Sequence, residues 1–284
     1  MSNIDIKLEE AQLLSEQKAR MEMIISGKEK TYSEKVKYAK NKIREFYNYC
    51  KLNNLPKPVV SFSGGRDSSV LLYLVREMYP DTTAITATEL FNPDNSKLIQ
   101  KTSNICVFPP KMSFEQVIKE KGFPMISKEL SQKINAVRNC KTNGKWIKTC
   151  LGIGKGRRIS KKYLHLLDKT FVKYEVSHVC CNMLKGPVKH DKRPKFVGTT
   201  IFESQLRRTN WIKKGCNVYN VKIPQSRPLS IWNQNDIEKF IKNHKQISIS
   251  DAYKKGWKRT GCMFCGFGLN IECAIRDREE AKGI

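Results

Sequence analysis

The residues with the clearest chemical meaning lie where a short apolar run breaks into a glycine-rich turn. Residues 59–69 read Val-Val-Ser-Phe-Ser-Gly-Gly-Arg-Asp-Ser-Ser, and an apolar helical pattern follows them. This order predicts a buried strand, a tight turn and a helix N-terminus. Backbone amides of the turn and the positive end of the helix dipole would then face one point. The segment therefore favours binding of an anion such as a phosphate group.

Within this turn, each residue type suits a phosphate contact. Gly64 and Gly65 can adopt backbone angles closed to other residues and let an anion approach the main chain. Asp67 suits the N-cap of the helix. Serine hydroxyls can bond phosphate oxygens, and the serines concerned are Ser61, Ser63, Ser68 and Ser69. An ordinary strand-to-helix turn capped by Asp67 is the alternative, and the length of the matching string argues against it.

The charge of the chain is strongly positive, with 53 Lys and Arg against 27 Asp and Glu, a formal net charge of +26. Acidic residues are absent between Glu129 and Asp168 and again from 205 to 235. The cations of the first interval are Lys133, Arg138, Lys141, Lys145, Lys148, Lys155, Arg157, Arg158, Lys161 and Lys162. Those of the second are Arg207, Arg208, Lys213, Lys214, Lys222 and Arg227. We expect a polyanionic partner, most naturally nucleic acid, although a merely solvated basic face is the alternative.

Patterning along the chain predicts three consecutive segments. Residues 1–54 form a helical extension of two helices broken near Gly27, 55–246 a nucleotide-binding α/β domain, and 247–284 a cysteine-containing segment. Strand, helix and strand in succession predict a doubly wound, mainly parallel sheet with its ligand at the carboxyl edge. Further strands are expected at 172–176 and 195–198, a helix starting at Ser230, and a basic loop over 141–160.

Four cysteines have the spacing of a metal centre. Cys180 and Cys181 are adjacent, and Cys262 and Cys265 form a C-x-x-C after 80 intervening positions. Two adjacent cysteines chelate one tetrahedral zinc awkwardly, whereas each can bind a different iron of a cubane. The pattern therefore favours a 4Fe–4S cluster over zinc, with four buried thiols as the structural alternative.

These motifs resemble a known family when they are taken in order. The string Ser-Gly-Gly-x-Asp-Ser is similar to the PP-loop of ATP pyrophosphatases and sulfonucleotide reductases, and the cysteine pattern to iron–sulfur adenylylsulfate reductases. Segments 198–207 and 227–237 match further family motifs, and the resemblance covers roughly residues 55 to 268. The chain thus resembles the phosphoadenosine phosphosulfate (PAPS) reductase family in the broad sense, including DNA phosphorothioation enzymes and uncharacterised bacterial and phage members.

The resemblance implies a fold of the adenine nucleotide alpha-hydrolase-like type. It also implies ATP or another adenine nucleotide bound beside the cluster, with a magnesium ion on the phosphates. Gly198, Glu203 and Ser204 fall on the family's nucleotide-contacting segment. One family feature is missing: reductases carry a C-terminal Glu-Cys-Gly-Leu-His with the nucleophilic cysteine, whereas residues 272–275 read Glu-Cys-Ala-Ile.

That departure favours the other chemistry of the superfamily, in which an acceptor oxygen attacks the α-phosphate of ATP and sulfur then replaces the adenylated oxygen. The catalytic cations expected for it are Arg207, Arg208 and Lys185. Sulfur transfer to nucleic acid, with a cysteine desulfurase or a thiol reductant as partner, is the preferred interpretation. A sulfonucleotide reductase that releases sulfite and a non-catalytic nucleic-acid-binding module are the alternatives.

The same sequence carries no run of eighteen apolar residues and no basic start followed by an apolar core. We therefore expect no membrane span, no secretory signal and a cytoplasmic location. In that compartment the ten cysteines are expected to be thiols or metal ligands rather than disulfides.

Overall fold

The computed structural model describes residues 3–27, 30–87, 93–140, 144–153, 155–257, 260–262 and 266–267. The chain divides into two compact units that alternate along the sequence. The first unit comprises Met1–Thr86, Asn95–Cys106 and Asp191–Asp251, and the second Ala87–Asp94, Val107–His190 and Ala252–Ile284. This division differs from three consecutive segments because the chain leaves the first unit and returns to it twice.

The helices and strands follow one another along the chain. The α-helices are α1 (Asn3–Ile25), α2 (Tyr32–Leu52), α3 (Arg66–Met78), α4 (Pro93–Lys101), α5 (Phe114–Lys121), α6 (Lys128–Arg138), α7 (Lys145–Leu151), α8 (Cys180–Leu184), α9 (Gly186–Lys189), α10 (Gln205–Lys214) and α11 (Gln234–Asn243). The strands are β1 (Val59–Ser61), β2 (Ala84–Ala87), β3 (Ile105–Phe108), β4 (Lys195–Val197), β5 (Asn217–Val218) and β6 (Gln225–Ser226). Two 3-10 helices span Lys161–Leu167 and Asp251–Lys255. Among the described helices, none combines the length and the apolar character needed to cross a bilayer.

One six-stranded sheet organises these strands, in the order β3-β2-β1-β4-β6-β5. Strand β1 pairs in parallel with β2 on one side and β4 on the other, β4 pairs in parallel with β6, and β5 is antiparallel to β6. The prediction of a mainly parallel α/β sheet is confirmed. Short, fully apolar strands such as Val59-Val60 suit this arrangement because parallel strands are covered on both faces.

The core of the first unit is aromatic where α2 and α11 pack. Phe46 of α2 meets Phe196 of β4 edge to face with ring centroids 5.0 Å apart, and Trp232 meets Phe240 at 5.4 Å. The buried Lys35 amino group also bonds Asp236 at 2.7 Å. The expected two N-terminal helices with a break at Gly27, which has a φ of +62°, are confirmed.

The second unit contains a small helical core of its own. Buried side chains from α6, α7 and the segment up to residue 176 form one cluster, made of Leu130, Ile134, Cys150, Ile159, Leu166, Val172 and Val176. Because these residues lie within fifty positions of one another, this region folds around local contacts.

Three local expectations are wrong. Residues 172–176 form no strand, since only Val176 makes a single bridge, to Phe123. The segment 141–160 is not a continuous loop, because Ile147 and Cys150 enter the helical core and hold α7. The last helix starts after Asn233 rather than at Ser230, because the Asn233 side chain accepts the amide of Asp236 in a capping box.

Candidate functional site

The glycine-rich turn lies where the strand order of the sheet reverses. The chain runs from β1 to β2 on one side, while β4 flanks β1 on the other. Open α/β sheets bind their ligands outside the carboxyl edge at such a reversal of strand order, beside the loops that follow the two central strands. The turn that follows Ser61 and the loop that begins at Gly198 meet at this position.

The turn itself is held by a network of serine hydroxyls. Ser68 Oγ donates to the Gly65 carbonyl at 2.9 Å, accepts the Ser63 amide at 3.2 Å and lies 3.2 Å from Ser63 Oγ. Gly65, not Asp67, occupies the N-cap of α3, and no side chain caps that helix. The prediction of Asp67 as the cap is wrong, since Asp67 lies within the first helical turn.

Residue 64 must be a glycine for two reasons. Its φ is +72°, a region that L-residues rarely adopt. A Cβ at this position would also lie 2.0 Å from Asn95 Oδ1. The fully buried Asn95 donates from Nδ2 to the Ser63 carbonyl at 3.1 Å. Through Asn95, helix α4 therefore packs directly against the main chain of the glycine-rich turn.

The serines of the motif have different surroundings. The Ser63 side chain is exposed and Ser61 is half-buried, whereas Ser68 is buried. Ser69 Oγ is buried without a hydrogen-bond partner among the described residues. Ser69 lines a cavity of about 240 Å³ that runs along α3 past Leu72. Ser63 is therefore the motif serine best placed to contact a ligand, and Ser68 shapes the turn.

The loop after β4 approaches α3 closely. A Cβ on Gly198 would lie 3.1 Å from the backbone carbon and oxygen of Asp67 and 3.2 Å from the Ser68 amide. A larger residue at this position would push against the main chain of the turn. A Cβ here would require the start of α3 to shift by a few tenths of an ångström, so close packing is a structural reason for glycine at a position that the motif assigns to nucleotide contact.

Glu203 and Ser204 position an arginine. The Ser204 side chain caps α10 by accepting the Arg207 amide at 3.3 Å. Glu203 accepts the Thr200 amide at 2.9 Å and forms an ion pair with the Arg207 guanidinium. These contacts hold Arg207 at the start of α10 beside the loop after β4.

Arg207 and the turn interact electrostatically. Burial raises the pKa of Asp67 above its ordinary value, and the positive charges of Arg207 and Arg66 partly oppose this shift. Burial lowers the pKa of Arg207, Asp67 raises it, and Arg227 lowers it again. Burial also lowers the pKa of Arg227. Arg207 thus lies between the Asp67 carboxyl group and the like charge of Arg227, and the two partly desolvated guanidinium groups favour an incoming anion.

A cavity of about 180 Å³ collects several of these groups in the first unit. It is lined by Val197, Thr199, Thr200, Ile201, Arg207, Asn210, Trp211, Gln225, Arg227 and Ser230. Arg208 instead lines a different cavity, of about 140 Å³, with Lys30 and Met23. Consecutive helix residues point about 100° apart, so the structure does not bring Arg207 and Arg208 together. Lys185, the third expected catalytic cation, is exposed at the end of α8 in the second unit.

Three of the four predicted metal ligands share one apolar cluster of the second unit. Cys180 forms it with Val117 and Leu184, and Cys181 and Cys262 pack against it. Cys265 lies outside the described residues, as does the Glu272–Ile275 segment. An apolar environment with several thiols, of which Cys180 is buried and Cys181 and Cys262 are half-buried, suits an iron–sulfur cluster. Within the described part of the chain, no group of three His, Cys, Asp or Glu side chains forms a metal site.

His178 lies two residues before the cysteine pair. Its Nδ1 is buried and makes no hydrogen bond among the described residues. Burial, and secondly the charge of Lys128, lower the pKa of this imidazole. A neutral ring is therefore expected here.

The sequence motifs missed one residue of the site, Asn95, and they included Arg227 in segment 227–237 without assigning it to the site. Asn95 carries no motif signal, since it is one amide near the start of a helix after the second strand. Arg227 comes directly after β6, and only the position of β6 beside β4 brings it to the cavity. A search for polar residues just after strands would have found Arg227, but nothing local distinguishes Asn95.

Comparison with known proteins gives a limited result. No protein-family model matches the chain, and no curated protein matches it. The chain is similar to the crystal structure of phosphoadenylyl-sulfate (PAPS) reductase from Candida auris, a phosphate complex, with 13% sequence identity and a TM-score of 0.45. That similarity covers 78% of this chain and 87% of the other chain.

Proposed function

We propose that this chain is an enzyme of the PP-loop type that binds an adenine nucleotide at the turn between β1 and α3. The observation that carries the proposal is the turn itself, at the reversal of strand order, with Gly64 at a φ of +72°. Its preferred chemistry is ATP-dependent activation of an acceptor for sulfur transfer to nucleic acid. The motifs of a broad PAPS reductase family support this assignment.

The electrostatics of the turn support phosphate binding. Amides of the first turn of α3 have no acceptors within the helix, and the helix dipole favours negative charge there. The guanidinium of Arg207 is held near Asp67 by Glu203 and by the cap of α10. Burial removes part of the water that would otherwise solvate the guanidinium groups of Arg207 and Arg227. A bound anion would replace that water as their hydrogen-bond partner.

The proposed reaction uses this charge in its first step. An acceptor oxygen attacks the α-phosphorus of ATP, the bond to the β-phosphate breaks, and pyrophosphate leaves. Arg207 and the turn amides stabilise the negative charge that develops on the phosphate oxygens. The outer sulfur of a persulfide delivered by a cysteine desulfurase then attacks the acceptor, the bond to the adenylated oxygen breaks, and AMP leaves with that oxygen. A thiol reductant next cleaves the S–S bond that still joins the acceptor to the desulfurase cysteine, which leaves the sulfur on the acceptor. A magnesium ion on the phosphates would share the charge.

The cysteines of the second unit would hold a 4Fe–4S cluster. Cys180, Cys181 and Cys262 share an apolar cluster, and Cys265 would be the fourth ligand. When bound, the cluster supplies iron that can hold sulfur or carry electrons. The thiolates provide anchoring in an apolar setting, which excludes water from the iron.

Iron binding is tested by anaerobic purification, an absorbance spectrum, and iron and sulfide counts. We expect about four irons per chain and loss of most iron in Cys262→Ser. The matched control is Cys150→Ser, because Cys150 is buried in the other apolar cluster of this unit. Equal iron in Cys262→Ser and the unaltered protein would contradict the ligand assignment.

The reaction is tested with ATP labelled at the α-phosphate, in the presence and absence of single-stranded DNA or RNA. We expect AMP and pyrophosphate, with faster release when the oligonucleotide is present. An analogue with a methylene group between the α- and β-phosphorus atoms should give no product. Absence of ATP cleavage with every nucleic acid tried would reject this chemistry.

A sulfonucleotide reductase is the second candidate, and the shared cluster of Cys180, Cys181 and Cys262 favours it. In that case adenylylsulfate or its 3′-phosphate would release sulfite at the expense of a thiol reductant. Sulfite release by the purified protein, without ATP cleavage, would establish this candidate over the first.

A further inference from the structure

Helix α7 and the chain that follows it form a compact hairpin in the second unit. We call residues 145–159 the α7 hairpin; Gly154 within it lies outside the described residues. The amide of Ile159 donates to the Cys150 carbonyl at 2.9 Å, so the chain returns alongside α7. A Cβ on Gly156 would lie 2.7 Å from Thr149 Cγ2, and one on Gly152 would lie 3.1 Å from Arg158 Cδ. The returning segment therefore packs tightly on the helix.

On one side of this hairpin, apolar side chains are buried in the helical core of the second unit. Cys150 is fully buried, Ile159 is 2% exposed and Ile147 is 8% exposed. Thr149 is buried as well, at 8% exposed, and the other described side chains of the hairpin are exposed to solvent. The exposed surface is thus carried on a packed scaffold.

The presented side chains are mostly cations. Those exposed on the hairpin are Lys145, Lys148, Lys155, Arg157 and Arg158, and Lys161 and Lys162 follow directly. Residues 128–176 contain thirteen Lys and Arg and only three acidic residues. Such a density of like charge repels itself unless an anion neutralises it.

Of the three acidic residues of this region, only Glu129 approaches a cation of the α7 hairpin among the described residues. Glu129 bonds the buried Lys133 at 2.7 Å and approaches Arg157 at 3.9 Å. Glu175 pairs with Lys169 at 2.9 Å. Asp168 accepts the amide and hydroxyl of Thr170 at 2.7 Å each. Among the described residues, none of these carboxylates pairs with the lysines of the α7 hairpin.

Three large apolar side chains are exposed among these cations, and one of them is Leu151, which is 43% exposed. The Trp146 side chain is 48% exposed between Lys145 and the buried Ile147, and Ile153 is 74% exposed. An indole held at the surface by a packed helix offers a flat face on which a base can stack. Among the described residues, the Trp146 side chain makes no hydrogen bond or ring contact that would hold it at the surface.

We propose that the α7 hairpin is a binding surface for single-stranded nucleic acid. Its lysines contact successive phosphates, and Trp146 stacks on an unpaired base. The choice of nucleic acid rests on the proposed function, in which a nucleic acid is the acceptor. A duplex hides the faces of its bases, so an exposed indole favours an unpaired strand.

An anionic membrane is the competing polyanion, and the hairpin suits it less. Interfacial helices insert a broad apolar face into the bilayer. The apolar face of α7 is occupied by the core of the second unit through Ile147 and Cys150. Three exposed apolar side chains remain, Trp146, Leu151 and Ile153, which is fewer than the broad apolar face of an interfacial helix.

The stacking contact is tested by fluorescence anisotropy of a labelled single-stranded oligonucleotide with the full-length protein, without ATP. Trp146→Ala should weaken binding by about 5- to 150-fold, the range of one base–aromatic stack, and Trp146→Phe should restore most of it. The control is Trp257→Ala, since Trp257 is 40% exposed and lies outside the hairpin. Equal losses in Trp146→Ala and Trp257→Ala would overturn the assignment.

The phosphate contacts are tested by the salt dependence of the same binding. The logarithm of the association constant falls linearly with the logarithm of the salt concentration. In the triple variant Lys145→Gln/Lys148→Gln/Lys155→Gln, this negative slope should become shallower by about 2. This corresponds to about 100-fold weaker binding at about 0.1 M salt. The charge-matched control replaces three exposed lysines of the first unit with glutamine, Lys37, Lys51 and Lys57.

Other outcomes separate this surface from the proposed function. Oligonucleotide binding lost in the hairpin variants, with unchanged ATP affinity, supports the surface. Binding to phosphatidylserine vesicles that exceeds oligonucleotide binding and disappears in the same variants would overturn it in favour of a membrane. Wild-type protein that binds oligonucleotide through the hairpin but never binds ATP would reject the nucleotide site and leave this surface standing.

Discussion

The two acid-free stretches of this chain look alike in sequence but serve different purposes in the structure. In the first unit, Arg207 and Arg227 are desolvated beside a cavity of about 180 Å³, and burial lowers the pKa of both. In the second unit, the lysines of the α7 hairpin are exposed over a local apolar core. The Arg207 side chain keeps 42% of its surface exposed and Arg227 is half-buried, so both guanidinium groups are only partly withdrawn from water. Such groups around a cavity suit a small anion, whereas a row of exposed lysines suits a long polyanion.

The stretches also differ in how many of their cations are structural. Lys133 is buried against Glu129, and Arg138 donates to the carbonyls of Tyr174, Leu166 and Asp168 at distances of 2.7 to 3.1 Å. These two cations hold the helical core of the second unit together. A count of positive charges therefore overstates the surface that is open to a partner.

The largest effect on nucleotide binding in the first unit is expected from a substitution of Gly64. An alanine at this position would meet Asn95 Oδ1 at 2.0 Å and would keep a positive φ. Because the turn must shift, Gly64→Ala should weaken ATP binding about 100-fold or more, measured by calorimetry. Gly27→Ala is the control, since Gly27 has a φ of +62° but no atom within 4 Å of an added Cβ. Similar ATP affinity in the two variants would show that the turn does not bind the nucleotide.

Two adjacent arginines give the next largest contrast. Arg207→Ala should reduce ATP affinity by about 10- to 150-fold, the value of one or two charge-assisted hydrogen bonds. Arg208→Ala should change it less than about twofold, because Arg208 lines a different cavity. If both substitutions weaken ATP binding equally, the separation of the two side chains has no functional meaning.

Two lysines of the same acid-free stretch sharpen the comparison within the second unit. Lys148→Met should weaken single-stranded oligonucleotide binding about fivefold at about 0.1 M salt, through one lost phosphate contact. Lys133→Met should leave that affinity unchanged, since its amino group is paired with Glu129. Its unfolding free energy should move by no more than about 1 kcal/mol, because a methionine fills the space of the buried stem. An oligonucleotide affinity that falls equally in both variants would contradict the division into structural and exposed cations.

The smallest expected effect concerns the pH dependence of stability at Asp67. Burial raises the pKa of this carboxyl group in the folded protein above its ordinary value of 3.8. The folded state therefore binds the proton more tightly, so wild-type stability falls as pH rises from about 3.8 through the raised pKa. Asp67→Asn removes this loss.

The free energy of unfolding of Asp67→Asn, relative to the wild type, should thus be higher at pH 7 than at pH 4. Urea denaturation of both proteins at the two values measures the difference. A difference that is independent of pH, or that has the opposite sign, would mean that Arg207 and Arg66 outweigh burial.

Much of the fold could be predicted because local patterns dictate it. The apolar run at 59–60, the glycine turn and the helical period that follows are read from neighbouring residues, and β1 and α3 form where expected. The two N-terminal helices follow from the period of Ile43 and Phe46. The errors at 172–176 and 141–160 arose where contacts with the helical core override local preference.

The sequence by itself determined that a glycine-rich turn follows a buried strand and precedes a helix, that four cysteines have the spacing of metal ligands, and that the chain is strongly basic. These properties depend on residue types and short spacings. Only the tertiary structure decided that Asn95 clamps Gly64, that Arg207 and Arg208 face different cavities, and that some cations are structural. Those outcomes depend on residues brought together from distant positions by strand order and helix packing, which no local pattern encodes.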